Sequence, residues 1–118
     1  MDLPWWLPFG AVPEVTGHAL AESLRTEDPP WLLDVRTPAE FAAGHVEGAV
    51  NVPVTSLASS LPGLDLQPGR PVVAICLTAH RSIPAVRLLR RHGLDARQLA
   101  GGMLAWRSAG LPERRAPG

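Results

Sequence analysis

The run Val72-Val73-Ala74-Ile75-Cys76-Leu77-Thr78-Ala79-His80-Arg81-Ser82 decides how the rest of the chain is read. Four apolar residues suit a strand buried on both faces, and the only cysteine of the chain ends it. A short loop carrying an arginine follows, and a helical pattern then runs from about Ser82, read as its cap, to a stop at Gly93. Pro84 falls in the first turn of that helix, where a missing N–H costs little. Val86, Leu88 and Leu89 give it an apolar face, while Arg87, Arg90 and Arg91 are expected to face water near its C-terminal end. Loop N–H groups, a helix N-terminus and a guanidinium together favour an anion. They also favour a thiolate over a thiol, drawing a cysteine down from about 8.5. The same residues suit a small, inert, buried cysteine equally well, and the loop alone does not separate the two readings.

Outward from this run, strand and helix signals alternate, which predicts an α/β fold with a parallel sheet. Trp31-Leu32-Leu33-Asp34-Val35 reads as a second buried strand. Thr37-Pro38-Ala39-Glu40 reads as a capping box opening a short helix that ends by Gly44. Ala49 to Val52 forms a further strand closed by Pro53, and Leu57 to Leu61 a helical turn. A surface connection then runs from Pro62-Gly63 to Pro68-Gly69. Arg97-Gln98-Leu99 is a last strand, and Met103 to Ala109 a last helix closed by Gly110. Near the front, Val12 to Val15 suits an edge strand and Thr16 the cap of a helix to Leu24. In an open parallel sheet ligands collect beyond the carboxyl ends of the strands. The loop after Cys76 and the segment Asp34-Val35-Arg36 therefore line one mouth.

Composition narrows the function. With 118 residues the chain is expected to form one domain, and 46% hydrophobic content with 11 Gly and 13 Pro suits a turn-rich globule. Eleven basic and 11 acidic residues cancel, leaving no basic footprint for nucleic acid or a charged membrane surface. All the basic residues are arginines, so lysine chemistry is excluded. One cysteine permits no internal disulfide, and four scattered histidines beside it make a poor metal set, so no metal or cofactor is expected. The start, through Trp5, Trp6 and Phe9, suits neither a signal peptide nor a membrane span, and a cytoplasmic, reducing location is the default expectation.

Several segments together resemble the rhodanese sulfurtransferase family. Asp34-Val35-Arg36-Thr37-Pro38-Ala39-Glu40-Phe41 is similar to its D-V-R-x-x-x-E-[FY] segment. Gly44-His45-Val46-Glu47-Gly48-Ala49 continues its G-H-[IV]-x-G-A signature, with Glu47 where proline is usual, and Asn51-Val52-Pro53 follows in place. Cys76 to Arg81 resembles the C-x4-R loop, and Gly101-Gly102-Met103-Leu104-Ala105-Trp106 the closing G-G-x-x-x-W. The resemblance spans about residues 12–112, leaving 1–11 as a Trp- and Pro-rich extension and 113–118 as a tail.

The resemblance implies a small parallel β-sheet with helices on both faces and Cys76 as nucleophile. It also implies transfer of sulfane sulfur from a small anionic donor such as thiosulfate to an external thiol or protein acceptor. Loop N–H groups from Leu77, Thr78, Ala79, His80, Arg81 and Ser82 would hold the donor and the persulfide, with Arg81 binding sulfonate oxygens. Asp34 and Arg36 are expected to form a buried pair holding the loops, and His45 a hydrogen-bonded turn. The family loop often has glycine where this chain has Ala79, so Ala79 either takes an ordinary φ or bears modest strain. His80 is read as a solvent-facing loop residue. Trp31 and Trp106 are expected in the core, and Trp5 and Trp6 packed over the domain. Two other function classes compete. One is a persulfide carrier or binding module with little turnover. The other is a phosphatase or arsenate reductase, whose resemblance is to a C-x5-R loop one residue longer than the four-residue spacing between Cys76 and Arg81.

Overall fold

Alternating side chains on two central strands divide the core into two halves and fix the architecture. In the computed structural model, which describes residues 4–7 and 9–115, the strands are β1 (Glu14–Val15), β2 (Trp31–Asp34), β3 (Val50–Asn51), β4 (Val72–Ile75) and β5 (Ala96–Leu99). Between and after them lie α1 (Gly17–Ser23), α2 (Pro38–Ala43), α3 (Val54–Leu64), α4 (Ser82–Arg91) and α5 (Gly102–Ser108). The sheet is parallel throughout, in the order β1-β5-β4-β2-β3. Leu33, Val72 and Ala74 join residues of α3 and α4 on one face, and Leu32, Val73 and Ile75 join Leu20, Met103 and Trp106 of α1 and α5 on the other. The α/β fold with a parallel sheet follows from strands too apolar to leave either face in water. Met1 to Leu3 and Pro8 of the expected extension, and residues 116–118 of the expected tail, lie outside the described residues.

Helix α3 is longer than its sequence predicts, running through Pro62 where a surface connection is expected. A proline inside a helix costs about 3 kcal/mol. Burying Leu57 and Leu61 together contributes roughly 3–6 kcal/mol, enough to carry the last turn past the proline. Edge strands β1 and β3 are shorter than expected, two residues each, because each pairs on one side only. Ser82 is not the cap of α4. Arg81 holds that position and Ser82 is the first helical residue, its hydroxyl turned into the core. Arg87, expected in water, donates from Nη1 to the carbonyl of Leu7 at 2.7 Å and from Nη2 to that of Phe9, tying the N-terminal segment to α4. Trp5 packs on the α3–α4 core, whereas Trp6, expected to pack likewise, is 60% exposed. Trp106 is fully buried. Trp31 is half-buried with Arg70 stacked 4.3 Å over its ring, a rim position and not the core one expected.

One polar knot crosses the mouth of the sheet. Asp34 and Arg36 are both fully buried. Arg36 Nε donates to Asp34 Oδ1 at 2.9 Å and Nη2 to Oδ2 at 2.7 Å; Nη2 also reaches the carbonyl of Gly44 at 2.7 Å. Asn51 Nδ2 donates to the carbonyls of Asp34 and Arg36, pinning β3 to the same turn. Removing one member of such a pair strands the other charge. Arg36→Met is therefore expected to lower unfolding free energy by about 3–5 kcal/mol in urea titrations. The double variant Asp34→Leu/Arg36→Met should recover a large share of that loss.

Candidate active site

Strand register brings the two expected segments together. Asp34 is the ladder partner of Ile75, so Val35-Arg36 and Cys76-Leu77 leave the sheet side by side. The N–H of Val35 donates to the carbonyl of Ile75 at 2.9 Å, extending the ladder to the edge of the loop. Cys76 directly follows β4, with its side chain on the α3–α4 face. The residue is 1% exposed, so in this arrangement of the loop Sγ is closed to solvent.

The loop turns the way it does because its carbonyls are held from behind. The N–H groups of Met103 and Leu104, in the first turn of α5, donate to the carbonyls of Cys76 and Leu77 at 2.8 and 3.1 Å. This approach requires glycine at position 102, where φ is +60° and a Cβ would lie 2.4 Å from the Cys76 oxygen. Trp106 anchors the same helix, its indole N–H donating to the carbonyl of Pro112 at 2.8 Å. The glycine pair and the tryptophan of the closing motif thus serve one purpose, to seat α5 against the loop. Among the described residues, no protein group accepts from the backbone N–H of Leu77, Thr78, Ala79, His80 or Arg81, which leaves a run of five donors in the loop that follows the thiol.

The loop side chains are arranged unequally. Leu77 is half-buried against the α1–α5 core. Thr78 Oγ1 and His80 Nδ1 lie 3.1 Å apart, both residues exposed, so His80 sits in solvent as expected. Ala79 has φ of +70°, the strained alternative of the two expected for it. Ser82 Oγ is 3.5 Å from Cys76 Sγ and donates to Gln98 Oε1 at 2.7 Å. His45 stands apart from the thiol chemistry. Its ring stacks on Phe41 at 3.8 Å and its Nδ1–H donates to the Phe41 carbonyl at 2.7 Å, a turn role as expected.

Arg81 is engaged, which the sequence did not foretell. Its Nη1 and Nη2 donate to Glu40 Oε1 and Oε2 at 2.5 and 2.8 Å. Glu40 keeps its expected place in the capping box, accepting from the Thr37 N–H at 3.1 Å while its own N–H donates to Thr37 Oγ1 at 3.3 Å. One carboxylate therefore joins α2 to the loop. Its local role at the helix start accounts for it fully in the sequence, so nothing there marks the long-range pairing. Gln98 and Glu14, which back Ser82, carried no signal either.

Comparison with known proteins places these features in a family. The Rhodanese-like domain family matches residues 16–109. A sulfurtransferase of Allochromatium vinosum is 31% identical over 102 residues, covering 86% of this chain and 94% of that protein. An HTH-type transcriptional regulator of Mycobacterium tuberculosis is 43% identical over 83 residues, covering 69% of this chain but only 36% of the regulator, so the likeness is to a part of it. A rhodanese-related protein from Thermoplasma volcanium superposes with a TM-score of 0.78 at 26% identity, covering 87% of this chain and 98% of that one.

The arginine at Glu40 sets an acid limit. The Arg81 hydrogen bonds, opposed in part by burial and aided by Thr37, hold the Glu40 carboxyl down at about 2. A depressed carboxyl stabilises the fold above its ordinary value of 4.5, and that contribution disappears as pH falls through about 2. Glu40→Gln is expected to remove this segment from a plot of stability against pH while leaving the shape above pH 4.5 unchanged, measured by thermal unfolding across acid buffers. The matched span of 16–109, with the loop and glycine pair inside it, makes the chain a member of the Rhodanese-like domain family.

Proposed function

We propose that the chain is a sulfurtransferase that carries sulfane sulfur as a persulfide on Cys76. The observation that carries this reading is the C-x4-R loop itself: a lone thiol at the end of the central strand, flanked by five uncommitted backbone donors and one arginine. Donor, leaving group and intermediate are all anions, and amide dipoles at a strand end suit each of them. In the first half-reaction the thiolate attacks the outer sulfur of thiosulfate. An S–S bond forms to Sγ, the bond to the sulfonate sulfur breaks, and its electron pair leaves with sulfite. In the second, cyanide or an external thiolate attacks the outer sulfur of the persulfide, and Cys76 departs as thiolate. No second cysteine exists in the chain, so the acceptor is a separate molecule.

Arg81 meets the donor's sulfonate by sharing or exchanging its contact with Glu40, and the loop opens to admit the donor. The four-residue spacing from Cys76 to Arg81 speaks against a phosphoryl substrate, whose cradle is longer by one residue. Burial of the thiol favours a second reading, a persulfide carrier with little turnover of thiosulfate.

Intact mass measurement after mixing with thiosulfate is the direct test. The expected result is a gain of one sulfur atom by the wild type and none by Cys76→Ser, with thiocyanate formation abolished in the variant. A mass gain without catalytic turnover would select the carrier, and no gain would discard both readings. Ala79→Gly tests the strained loop position. Relief of positive φ should stabilise the fold by up to about 1 kcal/mol and raise kcat/KM for thiosulfate. An unchanged kcat/KM would show that the backbone at position 79 does not limit donor binding.

A further inference from the structure

Behind the nucleophile a buried chain of hydrogen bonds leads to the edge of the sheet. Cys76 Sγ lies 3.5 Å from Ser82 Oγ, Ser82 Oγ donates to Gln98 Oε1 at 2.7 Å, and Gln98 Nε2 donates to Glu14 Oε2 at 2.8 Å. Ser82 is fully buried, Gln98 is 5% exposed, and Glu14 on β1 is exposed. The chain has a direction, and the direction is set at its outer end. An ionised carboxylate only accepts, so the amide must turn its NH2 group to Glu14 and its oxygen to Ser82. The serine hydroxyl has one proton, and that proton goes to Gln98. Only lone pairs are left facing the sulfur. They can accept from an S–H but offer nothing to a thiolate.

We propose that Glu14 and Gln98 are positioning residues that fix the direction of the Ser82 hydroxyl and thereby hold back ionisation of Cys76, against the pull of the loop amides. Charged groups on the surrounding elements are Arg81 at the start of α4, Glu40 on α2, the Asp34–Arg36 pair at the end of β2, His80 in the loop, Arg97 on β5, exposed and paired with Asp95, and Glu14 itself. Helix α3 and the first turn of α5 carry none, and Arg87, Arg90 and Arg91 lie in later turns of α4. Apart from Glu14, none of these differs between the proteins compared below. The resting thiol is then activated when an anionic donor and the loop move together, which limits attack by stray electrophiles. The proposal rests on Cys76 as the working nucleophile, but its test needs no sulfur donor, so the two fail separately.

The measurement is the ultraviolet absorbance of the thiolate as pH is raised in the full chain. With one cysteine and no tyrosine, the signal belongs to a single group. Gln98→Leu removes the acceptor for the serine proton, which then turns to the sulfur. Ionisation is expected at lower pH, with at least about a tenfold rise in the ionisation constant. The rise should vanish in Gln98→Leu/Ser82→Ala when compared with Ser82→Ala alone. Glu14→Leu, at the exposed edge, releases the amide to turn over and should give a smaller shift of the same sign. A titration unchanged or moved upward in Gln98→Leu of native circular dichroism overturns the proposal, as does a rise that survives removal of the serine hydroxyl. Should Gln98→Leu fail to fold, an unchanged titration in Glu14→Leu overturns it and a downward shift supports it.

Discussion

Two backbone hydrogen bonds, from the N–H groups of Met103 and Leu104 to the carbonyls of Cys76 and Leu77, decide what the mouth of this sheet can do. A peptide unit whose oxygen is held on one side presents its N–H on the other. By engaging these carbonyls, α5 turns the N–H groups of Leu77 and Thr78, which share their peptide units, away from itself. The contact works because Gly102 lets helix and loop approach to a distance that no side chain permits. The polarity of the loop is thus a consequence of helix packing, and the residues responsible lie more than twenty positions after the cysteine.

The charges of the site come in matched pairs. Arg36 is neutralised by Asp34 inside the molecule, and Arg81 by Glu40 at the rim. The first pair is wholly buried and structural, whereas the second is about one-third exposed and can exchange partners with an entering anion. An oxyanion that displaced Glu40 would replace one carboxylate-like contact with another, so part of the desolvation cost of engaging Arg81 is already met by the ion pair. Glu40 also starts α2, and its release would loosen that helix end at the same time.

Much of this arrangement was legible in the sequence where local chemistry speaks plainly. The apolar runs at residues 31–34 and 72–75 marked the central strands, and Thr37 with Glu40 marked the start of α2. The thiol, its loop and the buried Asp34–Arg36 pair followed from motif and spacing. What escaped were features that depend on distant partners. Glu40 reads as a cap because its nearest neighbours satisfy it, and nothing local announces Arg81 forty-one residues away. Ser82 reads as a helix cap by type, yet Gln98 draws its hydroxyl inward. Pro62 reads as a stop, but burial of Leu57 and Leu61 before it, with the partly buried Leu64 packed on the same core after it, prevails.

The grip of Arg87 on the N-terminal segment has a consequence of a different kind. The guanidinium takes hold of two main-chain oxygens, at Leu7 and Phe9, and ignores the side chains there. A tether of that sort is indifferent to spelling: residues 7 and 9 can vary widely and still be seated, whereas the arginine has no substitute. It also leaves the Phe9 ring, 59% exposed, displayed to the surroundings at no cost to the attachment.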